Sequence, residues 1–201
     1  MTVRRLNQKD CLTVARLHMG ALPTPFAGGS GEALLTLYYR SVTMEQGAMG
    51  YAAVNADDDV IGFVCGVWNP GQLRRYLIKR HGFSLLWWGS LQFGQRPQIF
   101  TSLPGRLRRT PPNLDTGVDI SYGGYELRPI VVAKEARGTG TAGELVETLL
   151  QDARQRGFTE MHLFAEPDNL AACKFYDKVG FAADGQGIRD GRPVVRYRYH
   201  V

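Results

Sequence analysis

The stretch Arg137-Gly-Thr-Gly-Thr-Ala142 has the residue types and spacing that speak most directly to chemistry. It follows the apolar run Ile130-Val-Val132 and opens an amphipathic helical run from Glu144 to Arg156. A strand, a glycine turn and a helix start together make a cradle for a phosphate. The first backbone N–H groups of a helix have no partner within it, and the helix dipole favours negative charge at that end. Gly138 and Gly140 allow torsions that a Cβ would resist and let the backbone come close to a ligand. The turn is not a Walker loop, because no Gly-Lys-Ser/Thr follows it. It is also not a full dinucleotide fingerprint, because the strand before it does not open a βαβ unit with the whole Gly-x-Gly-x-x-Gly set. Taken alone, Gly-x-Gly also fits a plain turn, so its weight comes from its flanks.

The elements that position this turn are clearest in the C-terminal part of the chain. Tyr122 to Val132 is predicted as a strand, and Pro129 within it removes one ladder donor and predicts a bulge or a local edge. Ala142, Leu145, Val146, Leu149, Leu150 and Ala153 make one helical stripe, which Gly157 ends. Met161 to Phe164 reads as a strand, and Asp168 or Asn169 caps a helix that reaches Val179. Phe181 to Asp184 and Pro193 to Val201 read as strands around the turn signal Asp190-Gly191.

Upstream, Thr2 to Leu6 reads as the first strand. Asp10 is placed to cap a helix whose Leu12, Ala15 and Leu17 face inward. Leu22-Pro-Thr-Pro25 and Gly28-Gly-Ser-Gly31 break the chain before a second helix, Glu32 to Val42. Gly50 to Asn55 and Val60 to Trp68, joined by Ala56-Asp-Asp-Asp59, make a hairpin. Beyond it, Leu73, Tyr76, Leu77 and Arg80 space like one short helix, and Leu85, Leu86 and Trp88 after Gly82 like another. Pro97 is placed to start a third, ending near Arg109-Thr-Pro-Pro112. Trp87, Trp88, Phe93 and Phe100 are expected to pack on the domain, since exposing them together is costly.

Composition bounds the function class. The 201 residues suit one domain, 44% hydrophobic and 21% charged, with no internal repeat and no linker that divides it. No run is long enough to span a bilayer, and Met1-Thr-Val-Arg-Arg5 lacks the apolar core of a signal peptide. Cys11, Cys65 and Cys173 are far apart and have neither zinc spacing nor a disulfide framework, so a reducing cytoplasm and no metal are expected. The net charge of +5 is unevenly spread. Trp68 to Pro112 holds eight Lys and Arg and no Asp or Glu, whereas the rest has sixteen basic and nineteen acidic residues.

Three pieces in order carry a family resemblance: Glu126-Leu-Arg-Pro-Ile-Val-Val132, Arg137-Gly-Thr-Gly-Thr-Ala142 and Asn169-Leu-Ala-Ala-Cys-Lys-Phe-Tyr-Asp-Lys-Val-Gly-Phe181. Together they resemble the GCN5-related N-acetyltransferase (GNAT) superfamily, with its Arg/Gln-x-x-Gly-x-Gly/Ala loop and its Asn-x-x-Ala-x-x-Phe-Tyr-x-Lys-x-Gly-Phe signature. The resemblance covers Tyr122 to Val201 well and residues 1 to 68 loosely. It implies an α/β (α+β in some schemes) fold with a central, mixed, mostly antiparallel sheet of about seven strands flanked by helices. The whole chain, 1–201, then forms a single domain. Residues 69–118 make a basic helical insertion between the third and fourth strands, which is not part of the common family core.

The same resemblance implies acetyl-CoA as co-substrate and acyl transfer to an amine, with no metal. Backbone N–H groups of Arg137, Gly138, Thr139, Gly140, Thr141 and Ala142 would hold the pyrophosphate. The backbone of Ile130, Val131 and Val132 would pair with the pantetheine arm, and one amide there would polarise the thioester. Thr139 stands where the family often has Lys or Arg, and Glu144 lies close by, so charge in the loop rests on Arg137. Tyr176 matches the tyrosine that protonates the departing thiolate, and a phenol near pKa ~10 stays protonated at neutral pH. Core packing is the plainer reading of Phe175-Tyr176. Asn169 would bond the pantetheine, cap its helix, or both. Glu126 matches a position where some members carry the general base, or it is a surface carboxylate. His18, Glu166 and water are rival bases. Cys173, one turn before Tyr176, reads as an inert thiol.

The acceptor is less legible. Members that modify protein N-termini usually show Leu-Glu-Val-Arg-x-x-Asn before the tyrosine helix. This chain has Leu163-Phe-Ala-Glu-Pro-Asp-Asn169, with Phe164 in place of the Glu. That favours a primary amine on a small molecule, for instance an amino sugar or another acidic or phosphorylated acceptor suited to the basic segment. Four alternatives stand beside it: a protein N-terminal or lysine acetyltransferase, a non-catalytic acyl-CoA-binding or regulatory domain, nucleic-acid binding through Arg74 to Arg109, and a membrane-surface role. No nucleic acid and no integral membrane segment are expected, and a homodimer is left open.

Overall fold

The computed structural model describes residues 1–22, 28–95, 124–189 and 191–201. Among these, seven strands form one sheet: β1 (Thr2–Arg5), β2 (Ala48–Val54), β3 (Val60–Val67), β4 (Tyr125–Val132), β5 (Glu160–Ala165), β6 (Ala182–Arg189) and β7 (Arg192–His200). The order across the sheet is β1-β2-β3-β4-β5-β7-β6. Every neighbouring pair is antiparallel except β4 and β5, which are parallel. The helices are α1 (Cys11–Ala21), α2 (Gly28–Val42), α3 (Pro70–Gln95), α4 (Thr141–Gln155) and α5 (Leu170–Lys178). None of the described helices is long and apolar enough to cross a membrane.

The period-two alternation of the strands divides the apolar residues between two cores. On one face, Tyr51, Ala53, Val64, Tyr125, Leu127, Met161, Leu163 and Tyr197 meet Leu145, Val146, Leu149 and Ala153 of α4 and Tyr176 of α5. On the other, Ala52, Val54, Phe63, Cys65 and Val131 meet Cys11, Val14 and Ala15 of α1 and Leu35, Tyr39 and Val42 of α2. Pro129 lies where expected, at a register shift between Val64 and Cys65 of β3 that leaves it without a partner in the ladder. A proline in a central strand is tolerated at such a bulge, because the missing N–H costs no rung there.

Several local expectations are corrected. Asp10 stands at the N-cap position of α1 as expected, but its side chain bonds none of that helix's amides; it closes a reciprocal box on the preceding 3-10 turn Gln8–Asp10, where Asn7 accepts from Lys9 N and Asp10 accepts from Asn7 N at 3.0 Å. That register buries Cys11, Val14 and Ala15 and leaves Leu12 exposed. Gly82 does not divide two helices, because α3 runs unbroken from Pro70 to Gln95. An interior glycine costs about 1 kcal/mol without reversing the chain. The second C-terminal strand extends to Arg189, beyond the expected Asp184. The helix expected from Pro97, the start of β4 at Tyr122, Asp190 of the turn and the packing of Trp87, Trp88, Phe93 and Phe100 lie outside the described residues and side chains.

One buried carboxylate ties the first core together. Asp152 of α4 accepts from Tyr51 Oη at 3.0 Å, Tyr125 Oη at 2.6 Å and Arg156 Nε at 2.7 Å. Arg156 lies over the Trp68 ring at 4.1 Å, and Trp68 stacks on Tyr125. The Tyr125 ring in turn covers Gly66 of β3 so closely that a Cβ there would overlap it. Burial pushes the Asp152 carboxyl up, but the bonds from Arg156 and Tyr125 outweigh it and hold the group below its ordinary range. Asp152→Asn is expected to lower the unfolding free energy near neutral pH by about 3 kcal/mol, the scale for breaking a buried ion pair. The folded value is the lower one, so this stability is complete above the unfolded carboxyl value of about 3.9 and is lost as pH falls through the folded value. Urea denaturation should show the gap between the two proteins closing below about pH 4. An equal gap at pH 3 and pH 7 would mean that the carboxylate's charge contributes nothing.

Candidate active site

The pairing between β4 and β5 stops almost as soon as it starts. Tyr125 pairs with Met161 and Glu126 with His162. Beyond these rungs β4 continues to Val132 along β3, and β5 continues to Ala165 along β7. Among the described residues, no strand pairs with the two edges that face each other there. Each strand is held on its far side, so the sheet opens into a slot with backbone donors and acceptors along its walls. An extended chain can add to such an edge as a further strand. Ile130, Val131 and Val132 all lie on the β4 wall, on rungs with Val64, Phe63 and Gly62 of β3.

The β4 wall leads directly to the glycine turn. Ala133 N bonds Ile61 O at 2.8 Å, and a 3-10 turn over Lys134–Ala136 follows. Gly138 and Gly140 have φ of +79° and +89°, the left-handed region that favours glycine. Gly140 is the N-cap of α4 and has no side chain to bond the first helical amides. Open space surrounds the Cβ position of Gly138, Gly140 and Gly143. The helix start is thus bare, and its amides are available to an anion. Thr139 Oγ1 bonds Ala136 O at 2.7 Å and lies 2.8 Å from Thr141 Oγ1, which fixes the turn from within. Arg137 is exposed and folds back to donate Nε–H to Val132 O at 3.2 Å. A cleft of about 500 Å³ lies against the turn, lined in part by Ala133, Glu135, Thr139, Thr141 and Glu144. Lys134 and Arg137 are balanced by Glu135 and Glu144. Attraction for a phosphate at this turn therefore comes from amides and the helix dipole more than from net charge.

Tyr176 lies near the C-terminal end of α5, buried, with its ring against Phe175, Phe181 and Tyr197. Both expected roles are compatible with this position: the ring packs in the core, and burial with the neighbouring Cys173 pushes the phenol up to about 12, so it keeps its proton. Asn169 caps α5 by accepting from Ala172 N at 3.2 Å. Cys173 is half-buried, and its thiol donates to Glu166 O at 3.8 Å.

The expected bases are differently placed. Glu126 sits on the last β4–β5 rung, where the slot begins, but it is no surface carboxylate. Its Oε1 accepts from Arg189 Nη1 and its Oε2 pairs with Arg128 Nη2, each at 2.6 Å. Burial pushes its carboxyl up, and the two guanidinium groups outweigh that and hold it below the ordinary range. A carboxylate so held is a weak proton acceptor. His18 is taken up between α1 and α2, with Nδ1 2.6 Å from Tyr39 Oη. Glu166 Oε1 accepts from Arg192 at 2.8 Å near the surface.

Of the residues around Glu126, the sequence singles out Phe164 but not His162 or Arg189. Arg189 lies over the Phe164 ring at 4.7 Å, and Phe164 meets His162 edge to face at 5.8 Å. Glu126, His162, Phe164 and Arg189 thus share the face of the sheet opposite the Tyr176 core. The available signal was alternation on β5: Met161, Leu163 and Ala165 are buried in the first core, so His162 and Phe164 face away from it. No local signal joins Arg189 to a carboxylate 63 residues earlier.

The acetyltransferase (GNAT) family matches residues 104–181. The uncharacterized N-acetyltransferase YobR of Bacillus subtilis is 41% identical over 61 residues, which are 30% of this chain and 24% of that protein. N-alpha-acetyltransferase 30 of Schizosaccharomyces pombe is 40% identical over 52 residues, 26% of this chain and 35% of that protein. The chain thus spans about a quarter to a third of the length of these curated relatives. A variant of spermidine N-acetyltransferase SpeG from Vibrio cholerae superposes with a TM-score of 0.61 at 16% identity, covering 100% of this chain and 95% of that one. Residues 104–181 therefore carry the sequence signature of the GNAT acetyltransferase family, on a chain that has that family's fold.

Proposed function

We propose that the protein transfers an acetyl group from acetyl-CoA to a primary amine of a small molecule. The observation that carries this reading is the parted β4–β5 seam running into the bare amides of Gly140, Thr141 and Ala142 at the start of α4. A slot that adds an extended arm and ends in a phosphate cradle fits one elongated, phosphorylated molecule better than two separate ligands. In this reading, amides of Arg137 to Ala142 hold the pyrophosphate, and Ile130, Val131 and Val132 pair with the pantetheine. Asn169 bonds the same arm beside its capping role. The amine nitrogen attacks the thioester carbonyl, a backbone amide of the β4 wall stabilises the oxygen, and Tyr176 gives its proton to the leaving sulfur.

The acceptor side supports a small molecule with an acidic group. Where N-terminal acetyltransferases place a carboxylate, Phe164 carries the Arg189 guanidinium on its ring. Arg128 stands on the other side of Glu126. Two guanidinium groups around one carboxylate suit an anionic substituent better than a cationic one. The partial likeness to N-alpha-acetyltransferase 30 makes transfer to a protein N-terminus the second reading. We further propose that residues 69–118 are an insertion within one domain spanning 1–201, and that its charge adds to this preference.

Three outcomes test the proposal. Acetyl-CoA should raise the melting temperature of the wild type, and Gly140→Trp should shrink that rise, because it forces a side chain onto φ +89° and fills the cradle. No rise in the wild type sinks the acetyl-CoA reading. Tyr176→Phe should lower kcat by about 100-fold or more while keeping the acetyl-CoA shift; an unchanged kcat removes the phenol from the chemistry. Thiol release across amino sugars, amino-sugar phosphates, amino acids, polyamines and peptides should favour amines with a carboxylate or phosphate. A preference for spermidine or for peptides would overturn the acceptor assignment.

A further inference from the structure

We propose that His162 takes the proton from the acceptor amine, and that Glu126 is a positioning residue that holds two guanidinium groups and faces the imidazole. The inference rests on the acetyl-transfer reading and adds the proton acceptor to it. Its first support is place. His162 stands opposite Glu126 on the last rung before β4 and β5 part, so its backbone lies at the root of the slot, and its ring lies beside Gly124 and Phe164 on one face of that rung. It turns to one face of the sheet with Phe164, while Tyr176 belongs to the core on the other face. A carbonyl carbon lying between the strands thus has an imidazole on one side and a phenol on the other. That arrangement suits direct transfer, since a base beside the attacking nitrogen and an acid beside the departing sulfur can both serve the tetrahedral intermediate.

The second support is competition among bases. The Glu126 carboxylate bonds Arg189 and Arg128, His18 bonds Tyr39, and Glu166 bonds Arg192. Among the described residues, the His162 ring nitrogens make no hydrogen bond, which leaves a lone pair for an incoming N–H. The third support is charge. The groups facing His162 are Glu126 and Arg128 of β4, Arg196 and Arg198 of β7, and Arg189 of β6. Burial is the largest effect and favours the neutral ring, Glu126 opposes it, and Arg196, Arg189 and Arg128 reinforce it, so His162 titrates below the ordinary histidine value. A neutral imidazole near pH 7 is the form that accepts a proton.

In the step, the C–N bond forms as the amine proton moves to the imidazole. The C–S bond breaks, and the sulfur takes the Tyr176 proton. The imidazolium is stabilised for its short life by the Glu126 carboxylate and then returns its proton to water, as the phenolate regains one.

The test measures thiol release from acetyl-CoA against pH, with water alone and with each amine of the panel that turns over. His162→Gln should lower kcat at pH 7 by about 100-fold, abolish the acid limb of the pH profile and leave the acetyl-CoA thermal shift intact. Glu126→Gln should lower the rate, by less than His162→Gln does, and move the acid limb to lower pH, because it removes a negative neighbour of His162. Added imidazole should restore part of the rate to His162→Gly. Wild-type rates and an unshifted limb in His162→Gln overturn the proposal, as does loss of the limb in Glu126→Gln alone. Ring-nitrogen NMR of the wild type gives a readout independent of turnover, and a His162 midpoint at or above about 6.5 also overturns it. The two readings fail separately: an absent acetyl-CoA shift in the wild type defeats acetyl transfer, whereas a retained shift with full turnover in His162→Gln defeats only the base.

Discussion

The site depends on a seam two rungs wide. Parallel β4 and β5 touch only through Tyr125–Met161 and Glu126–His162, and the rest of the architecture makes so short a join tolerable. The strand pair is secured from outside, by β3 against β4 and by β7 against β5. Below, α4 and α5 close one core across the seam, so Leu127 and Leu163 share buried neighbours although their backbones have parted. Without these supports, the exposed edges would be free to pair with each other and close the slot.

The bulge at Pro129 and the Asp152 cluster work on the same wall. Pro129 shifts the ladder to β3 by one residue, which changes the face that residues beyond it present: Tyr125 and Leu127 enter the α4–α5 core before the shift, and Val131 joins the α1–α2 core after it. Asp152 fixes the base of β4 from beneath by gripping the Tyr125 hydroxyl, and it sits on the helix that starts at the glycine turn. The two ends of the slot are therefore indexed to one rigid element.

The parts of this arrangement that were legible in the sequence are the local ones. Gly138 and Gly140 announce a turn because only glycine sits easily at their φ, the apolar stripe from Leu145 to Ala153 announces α4, and Asn169 announces a helix start. Pro129 announced an interruption that a bulge absorbs. What was not legible is long-range or depends on register. Asp10 marks the start of α1 in the sequence, but the 3-10 turn before it, where Asp10 bonds back to Asn7 instead of to the helix, has no comparable local signal. The environment of Glu126 was invisible because its guanidinium partners come from the same strand and from the far end of β6. A glutamate read either as a base or as a surface carboxylate is a buried ion-pair centre, and the histidine across the rung took on interest only once the register was known.

The alternation along β5 has a consequence for how this chain can vary. Met161, Leu163 and Ala165 serve one core while His162 and Phe164 serve the opposite face, and the strand is pinned on its β7 side from Glu160 to Ala165. A single-residue deletion or insertion here would exchange the two sets, placing an imidazole in the oil of one layer and a leucine at the mouth of the slot. Related chains can therefore change length in the turns around this strand far more easily than within it. Position 164, by contrast, can be exchanged without disturbing the layer beneath, since its side chain faces away from that core.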